Sequence, residues 1–307
     1  MTMTEDAGRL TGSASTSQAI AEELGRLKPI AEFRGLLMFH FTGEHCPVTL
    51  YEVGRLREKG FKAIGAGTGS ECDLDEYDTG ENAYYQLVAW DPDEKEMVAV
   101  YRYQPGGRGY IDGSSERKLR TANLFDFSDT FREQLLPGAI ELGRSVANPT
   151  AKKYRFGFFA IWKGLGALLR IYPGTRLFFG TVSLIAHMNP DAVSCIIHYL
   201  QKHYAPPEPM LRPKKMIAYD PGTWRSSVPD AVAHGDPDTP EKRIKHLTAL
   251  MEQYDESVPM ILKSYMSLTN GIWFDGAVID HDFSDACIIS LIVPLENIAP
   301  EFRRKFM

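Results

Sequence analysis

Cysteine is scarce in this sequence, and its spacing excludes two common uses of the thiol. The four cysteines are Cys46, Cys72, Cys195 and Cys287. No two of them form a C-x-x-C pair, so the pattern indicates neither a zinc site nor a dithiol redox centre. Widely spaced cysteines fit a reducing compartment, and we expect all four to be free thiols.

An excess of positive charge and a long hydrophobic run are also absent. The formal net charge is -6 at pH 7, which argues against nucleic acid as the main partner because phosphate binding requires a basic face. Residues 1–18 are polar and acidic and lack the apolar core of a signal peptide, so we expect a cytoplasmic protein. The most apolar stretch, 156–172, contains Lys163 and Arg170 and is too short to cross a bilayer. We expect a buried helix there.

The composition is that of a globular α/β protein. Hydrophobic residues make up 44% of the 307 positions, enough for a sizeable core. Helical spacing predicts helices over 18–28, 47–60, 156–172, 190–204, 240–255 and 258–268. Apolar runs predict strands over 35–41, 83–90, 96–103, 139–146, 176–185 and 286–293.

The order of these elements predicts the fold class and the domain organisation. An antiparallel hairpin followed by strand, helix, strand and helix indicates a mixed sheet with helices packed on it. The stretch 206–240 carries eight of the 19 prolines, which prevents a long regular element. We therefore divide the chain into a flexible tail at 1–18, a core at 19–205, a proline-rich connection at 206–240 and a C-terminal extension at 241–307.

The strand predicted over 139–146 carries opposite charges in an otherwise apolar segment. Glu141 and Arg144 would point to opposite faces of a regular strand. Gly143 lies between them, where a β-bulge would turn both side chains toward one cleft. An edge strand with solvated charges is the alternative.

Charged and aromatic residues recur at fixed spacings on both sides of that strand. They are Arg57-x-x-x-Phe61, Asp75-x-x-Asp78, Arg102 in Ala99-Val100-Tyr101-Arg102, and Glu141-x-x-Arg144. This series resembles the pattern of acyl-homoserine-lactone synthases, a branch of the GNAT acyltransferase superfamily. A fuller resemblance, over 47–204 and 258–307, is to the ornithine and glycine N-acyltransferases of bacterial aminolipid synthesis, also called hemolysin-like proteins. It includes 141–145, 161–165 and 177–183.

The resemblance implies a fold and an activity. The fold is a GNAT-like α/β fold, with a mixed, mainly antiparallel sheet flanked by helices and a C-terminal α/β extension. The activity is transfer of a long-chain fatty acyl group, with or without a 3-hydroxyl, from acyl carrier protein to the α-amine of glycine or ornithine. A tryptophan that lactone synthases carry between the equivalents of Phe61 and Asp75 is missing, so lactone synthesis is the alternative. A non-enzymatic lipid-binding or lytic protein is another, disfavoured by the lack of a long amphipathic segment.

Glu141 is the predicted general base for amide formation. An amine must be neutral to attack a thioester, and a carboxylate whose pKa is raised by burial can take its proton. An ion pair with Arg144 or Arg102 is the structural alternative. The carboxylate of an amino-acid acceptor requires a counter-charge that a planar guanidinium suits. Arg102 and Arg144 are the predicted pair, with Arg57 next.

Four other residues complete the predicted substrate-binding set. We expect Asp75 and Asp78 to cap a turn or to order the arginines in preference to touching substrate. Phe61 is expected in the core in preference to the acyl contact. Trp162 lies in the helix predicted over 156–172, which either walls a tunnel for the acyl chain or is simply core.

The donor prediction depends on an absent motif. GNAT enzymes that use coenzyme A resemble one another in a turn R/Q-x-x-G-x-G/A, whose N–H groups cradle the pyrophosphate. The equivalent turn here, 148–155, has no glycine. A carrier protein avoids that requirement, and Lys152, Lys153 and Arg155 are predicted to meet its acidic face, with a solvated basic loop as the alternative.

The remaining predictions concern ligands and partners. Gly164-Leu165-Gly166 lies inside an apolar helix, so we interpret it as helix packing or a kink. Asp280-His281-Asp282 resembles a metal cluster in composition only, and we predict neither a metal nor a cofactor. The predicted partners are acyl carrier protein and an amino-acid acceptor. Peripheral contact with the membrane is compatible with a long-chain acyl group.

Overall fold

A computed structural model describes residues 13–65, 67–80, 83–108, 119–184, 187–219, 237–269 and 271–307. The chain divides into two compact units. The first takes in Met1–Gln104, Leu142–Gly174 and Arg304–Met307, and the second takes in Pro105–Glu141 and Thr175–Arg303. The predicted boundaries at 206 and 240 remain predictions, and residues 220–236 of that connection lie outside the described residues.

The regular elements follow the predicted ones with a few additions. The helices are α1 (Ser13–Gly25), α2 (Pro47–Lys62), α3 (Arg120–Leu124), α4 (Tyr154–Ile171), α5 (Pro190–Tyr204), α6 (Pro240–Glu252), α7 (Met260–Met266) and α8 (Pro300–Phe306). The strands are β1 (Ala31–Phe33), β2 (Leu36–Phe41), β3 (Tyr85–Asp91), β4 (Glu96–Pro105), β5 (Phe125–Phe127), β6 (Ala139–Ala147), β7 (Leu177–Ser183), β8 (Leu211–Pro213), β9 (Ala277–Asp280) and β10 (Ala286–Pro294). Helix α1 begins before the predicted residue 18, so part of the predicted tail is helical. No helix in the described ranges is long and apolar enough to span a bilayer.

The first unit is a sheet in the order β1-β2-β3-β4-β6, with helices packed on it. Its first three pairings are antiparallel. Helix α2 buries Leu50, Val53 and Leu56 against residues of β2, β3 and β4. A carboxylate of α1 caps α2: Glu23 accepts the N–H groups of Val48 and Thr49 at 3.0 and 2.8 Å. These donors would otherwise be unsatisfied at the helix start.

Helix α4 lies unusually close to the sheet because glycines face it. A Cβ added at Gly164 would lie 2.9 Å from a methyl carbon of Leu87 on β3. One added at Gly157 would lie 3.1 Å from side-chain atoms of Val98 and Ala99 on β4. A Cβ added at Gly166 would overlap the backbone carbonyl oxygen of Phe306, so this position is the tightest of the three. The helix-packing interpretation of Gly164-Leu165-Gly166 is confirmed.

The second unit contains the strand order β6-β7-β10-β9 and a short β5-β8 pair. Strand β10 pairs antiparallel with β7 and with β9. Every residue of β10 is buried, and Ser290 is the one hydroxyl in its sequence ACIISLIVP. The predicted α/β fold, with a mainly antiparallel sheet flanked by helices, is confirmed. All four cysteines are free, as expected.

Candidate active site

A buried ion pair lies at the centre of the first unit. Arg57 on α2 is fully buried, and its Nη1 donates to both carboxylate oxygens of Asp78 at 2.9 and 3.0 Å. Its Nη2 donates to Oε1 of Gln86 on β3 at 2.6 Å, and the amide of Gln86 donates to Asp78 at 2.9 Å. The guanidinium of Arg57 thus binds side chains inside the network, and its predicted contact with substrate remains a prediction.

Arg102 on β4 extends this network along the sheet. Its Nη1 donates to Asp75 at 2.5 Å and to Asp78 at 3.0 Å. The guanidinium lies over the rings of Tyr77 and Tyr84, at 5.5 and 5.2 Å from their centroids. The face of an aromatic ring attracts a cation, so the two rings help to hold the guanidinium in place. Asp75 and Asp78 therefore contact the arginines in the way the sequence predicts.

Arg144 on β6 binds a third carboxylate, which the sequence reasoning missed. Its Nη1 donates to both oxygens of Asp73 at 2.6 and 2.7 Å, and its Nη2 lies 3.3 Å from Asp75. Its guanidinium lies 5.9 Å from the ring centroid of Phe61. Phe61 is partly buried against the core, so that ring is both a packing residue and a support for Arg144. Asp73 lies two positions before Asp75, a spacing that could have signalled it.

The charges in this network support one another. Burial opposes ionisation of Asp78, but Arg57 and Arg102 outweigh it and hold the pKa of that carboxyl below its usual value. Burial disfavours the cation of Arg102, yet Asp78 and Asp75 raise the pKa of its guanidinium. Burial raises the pKa of Asp73, against the opposing effect of Arg144. Three arginines and three aspartates thus form a polar interior that is close to neutral overall.

Gln104 adds an acceptor to the face of β4 that carries Arg102, because side chains two apart share one face of a strand. Within the described part of the chain, its buried Oε1 has no hydrogen-bond partner, nor has Nε of Arg102. A buried polar atom without a partner is costly, so this donor and this acceptor are candidate ligand-binding atoms, although Nε of Arg57 and Oδ2 of Asp91 are left in the same way. Sequence reasoning missed Gln104, although the period-two spacing from Arg102 was available.

Strand β6 places Glu141 at the end of the second unit, three positions before Arg144. Glu141 is 2% exposed, and its Oε1 accepts the backbone N–H of Thr121 at 2.6 Å. The strained position is Arg144, whose φ is 50°, and Gly143 is not in the left-handed region. A Cβ at Gly143 would meet no atom of the described residues within 4 Å. The backbone beside Glu141 is therefore open on that side, and the convergence of Glu141 with the arginines remains a prediction.

Helix α4 and the basic loop before it carry the predicted tunnel residue and the predicted docking residues. Trp162 is 1% exposed and packs edge-on against Phe158, as a core residue does, and its place in a tunnel stays a prediction. Lys152 forms an ion pair with Glu94, and Lys153 lies 3.0 Å from Asp91. The basic charge expected of this loop is thus partly matched within the first unit. Arg155 is exposed on the first turn of α4.

A pocket of about 440 Å³ lies beside α2 but contains none of the predicted site residues. Its charged lining consists of Glu52, Arg55, Glu58, Lys59, Lys62 and Glu71. Two of the carboxylates are already engaged: Glu58 accepts the N–H groups of Thr68 and Gly69, and Glu52 pairs with Arg55. Because the two signs balance, the pocket has no preference for a charged ligand.

The mainly antiparallel sheet flanked by helices, with charged strands β4 and β6, is a fold of the GNAT type. A family model described as an acetyltransferase (GNAT) domain matches residues 56–162. A glycine N(alpha)-acyltransferase of Phocaeicola vulgatus is 30% identical over 272 residues, 87% of this chain and 82% of that protein. One of Bacteroides thetaiotaomicron is 31% identical, over 87% of this chain and 79% of that protein.

The chain belongs to the glycine N(alpha)-acyltransferase family of GNAT enzymes and is an acyltransferase. Among solved structures, a CoA-dependent acyl-homoserine lactone synthase, BjaI, matches with a TM-score of 0.40 at 10% identity, covering 88% of this chain and 87% of that one.

Proposed function

We propose that this enzyme transfers a long-chain fatty acyl group from acyl carrier protein to the α-amine of glycine. One observation carries the choice of acceptor: two relatives named glycine N(alpha)-acyltransferase are 30% and 31% identical over 87% of the chain. The product would be an N-acyl amino acid for aminolipid synthesis.

Glu141 is the proposed base. Its carboxylate is buried on β6 and takes the proton of the glycine ammonium, so that the free amine attacks the thioester carbonyl. The N–C bond forms, the tetrahedral intermediate collapses with cleavage of the C–S bond, and the second surplus proton of the amine passes to the departing sulfur, so that the carrier leaves as its thiol. Backbone N–H groups next to Gly143, where the chain is open on one side, would donate to the oxyanion.

Two atoms of β4 would recognise the two ends of glycine. Nε of Arg102 is a donor suited to the carboxylate, and Oε1 of Gln104 is an acceptor suited to the amine. The aspartates have a different task in this proposal. Asp75 and Asp78 occupy the Nη1 atom of Arg102 and fix its plane, which holds Nε in one direction.

A carrier-protein donor is supported by the loop between β6 and α4. Residues 148–155 contain no glycine, so this turn is poorly suited to wrap a pyrophosphate. A phosphopantetheine arm needs no such cradle, because its phosphate stays at the carrier surface. Lys152 and Arg155 are the exposed members of the predicted basic set.

The test is an assay of the purified protein with long-chain acyl carrier protein and glycine, read by mass spectrometry. We expect N-acylglycine, with much less product when acyl coenzyme A replaces the carrier. Ornithine and S-adenosylmethionine serve as competing acceptors in parallel reactions. Product from ornithine alone would overturn the choice of glycine, and a homoserine lactone would overturn the reaction class.

A further inference from the structure

The outward face of α4 presents aromatic rings and cations side by side. Tyr154 and Phe159 are 51% and 41% exposed, large values for aromatic residues. Phe159 packs on Phe33 of β1 and stacks on Phe306, with ring centroids 6.5 and 6.0 Å apart. The ammonium of Lys305 lies 5.4 Å from the Phe159 ring centroid. The Phe159 ring is therefore packed against Phe33 and Phe306 and still exposed to solvent.

A tight turn holds another cation against the same rings. Arg34 and Gly35 join β1 to β2 and have φ values of 52° and 76°, as a type I′ hairpin turn requires. The guanidinium of Arg34 lies 5.1 Å from the ring centroid of Phe156 and 5.9 Å from that of Phe33. The turn therefore projects Arg34 beside α4 in a fixed direction.

All charged residues of helix α4 are basic. Helix α4 contains Arg155, Lys163 and Arg170 and no aspartate or glutamate. Arg155 and Phe159 lie four residues apart, so they share one helix face. We name the aromatic-basic patch for its members, Phe33, Arg34, Tyr154, Arg155, Phe159 and Lys305. The chain as a whole is acidic, with a net charge of -6, so such a patch is not the general character of its surface.

We propose that the aromatic-basic patch docks the protein on the surface of a bilayer that contains anionic lipids. Aromatic rings favour the boundary between headgroups and acyl chains, and cations gain from the negative surface potential of anionic lipids. An acidic carrier protein would satisfy the cations but would leave the exposed rings without an apolar environment. A membrane surface satisfies both. Docking would place the enzyme where a long-chain N-acyl product partitions after release.

The experiment is sedimentation of the full chain with phosphatidylcholine vesicles, with and without phosphatidylglycerol, in the absence of any substrate. Binding should require the anionic lipid and should weaken as salt is raised. Arg34→Glu with Lys305→Glu should lower the partition coefficient at least about 20-fold, because each cation near an anionic surface contributes about a factor of five. Phe159→Ser should lower binding without changing its salt dependence.

The matched control is Lys215→Glu with Lys245→Glu, which makes the same change in net charge at exposed positions of the second unit. It should bind like the wild type. Equal loss in both double variants would reduce the effect to net charge and overturn the patch. Absence of vesicle binding, or a patch variant that loses only acyl transfer from the carrier protein, would also overturn it. Because binding is read without substrates, its failure is distinct from failure of the proposed reaction.

Discussion

Strands β4 and β6 of the first unit and strand β10 of the second bury different kinds of side chain. In the first, β4 and β6 place Arg102, Gln104 and Arg144 within or beside the interior, whereas β10 in the second is apolar apart from Ser290. Apolar burial stabilises a sheet directly, while buried ion pairs rarely repay their desolvation. We infer that the charges of the first unit have a role besides stability. One such role is to hold the guanidinium of Arg102 in a fixed direction.

Removing one charge from the first unit should sharpen this difference most. Asp78→Asn leaves Arg57 and Arg102 without their shared counter-ion and should lower the free energy of unfolding by about 3–5 kcal/mol. Ser290→Ala in β10, the comparison variant, should cost about 1 kcal/mol because only weak hydrogen bonds are lost. Urea titrations of both variants measure the two losses. Similar losses in the two variants would mean that Asp78 is not needed to balance the buried charges of Arg57 and Arg102.

The same contrast should be visible in the pH dependence of stability. The pKa of Asp78 is lowered in the folded state, so its contribution is present above its unfolded pKa and is lost as the pH falls toward the folded value. Burial raises the pKa of Asp275 in the second unit from 3.8 to about 6, against the N–H groups of Met210 and Leu211. Its contribution has the opposite sign, and stability should fall as the pH rises between those two values.

The measurement is the free energy of unfolding at a series of pH values between 3.8 and about 6 for wild type and Asp275→Asn. The decline attributed to Asp275 should vanish in the variant. If both proteins show the same slope, the burial of Asp275 does not control its ionisation.

Gln104 tests whether the unpartnered acceptor of the first unit binds substrate. Gln104→Leu keeps the size of the side chain and removes Oε1, so the KM for glycine should rise about tenfold, the value of one hydrogen bond. The KM for the acyl donor should not change. Gln134→Leu, at an exposed position of the second unit, is the control. An unchanged glycine KM in Gln104→Leu would remove this residue from the site.

The smallest effect is expected at the loop before α4. Lys152 is paired with Glu94 at the surface, so Lys152→Ala should change stability little. A modest rise in KM for acyl carrier protein, matched or exceeded by Arg155→Ala, is expected if the loop docks the carrier. No change in either variant would indicate that the carrier binds elsewhere.

Much of the fold was predictable because its main elements are long and periodic. The helix over 190–204 was predicted with the bounds of α5, and β10 differs from its prediction by one residue. Strands β1, β5, β8 and β9 were missed because three or four residues show too little periodicity. Their pairing depends on partners distant in sequence, which a local pattern does not contain.

The charged network of the candidate site was predictable in several of its residues but not in its pairings, and Asp73 and Gln104 were missed. Spacing and resemblance selected Arg57, Asp78, Arg102 and Arg144, and the first unit does bring these four together. Which carboxylate binds which arginine depends on the loop after α2, where Asp73 lies, and that loop has no regular pattern. The positive φ at Arg144 instead of Gly143 likewise follows from tertiary contacts, since glycine would be the default choice for such a conformation.

Replacement of Glu141 by glutamine tests amine deprotonation on β6 most directly. The glutamine Oε1 can still accept the N–H of Thr121, so the free energy of unfolding should match that of the wild type. With acyl carrier protein and glycine, kcat should fall at least about 100-fold, as loss of a general base predicts. Glu133→Gln, at an exposed position, should retain full activity. A folded Glu141→Gln enzyme with wild-type kcat would contradict the assignment of Glu141 as the base.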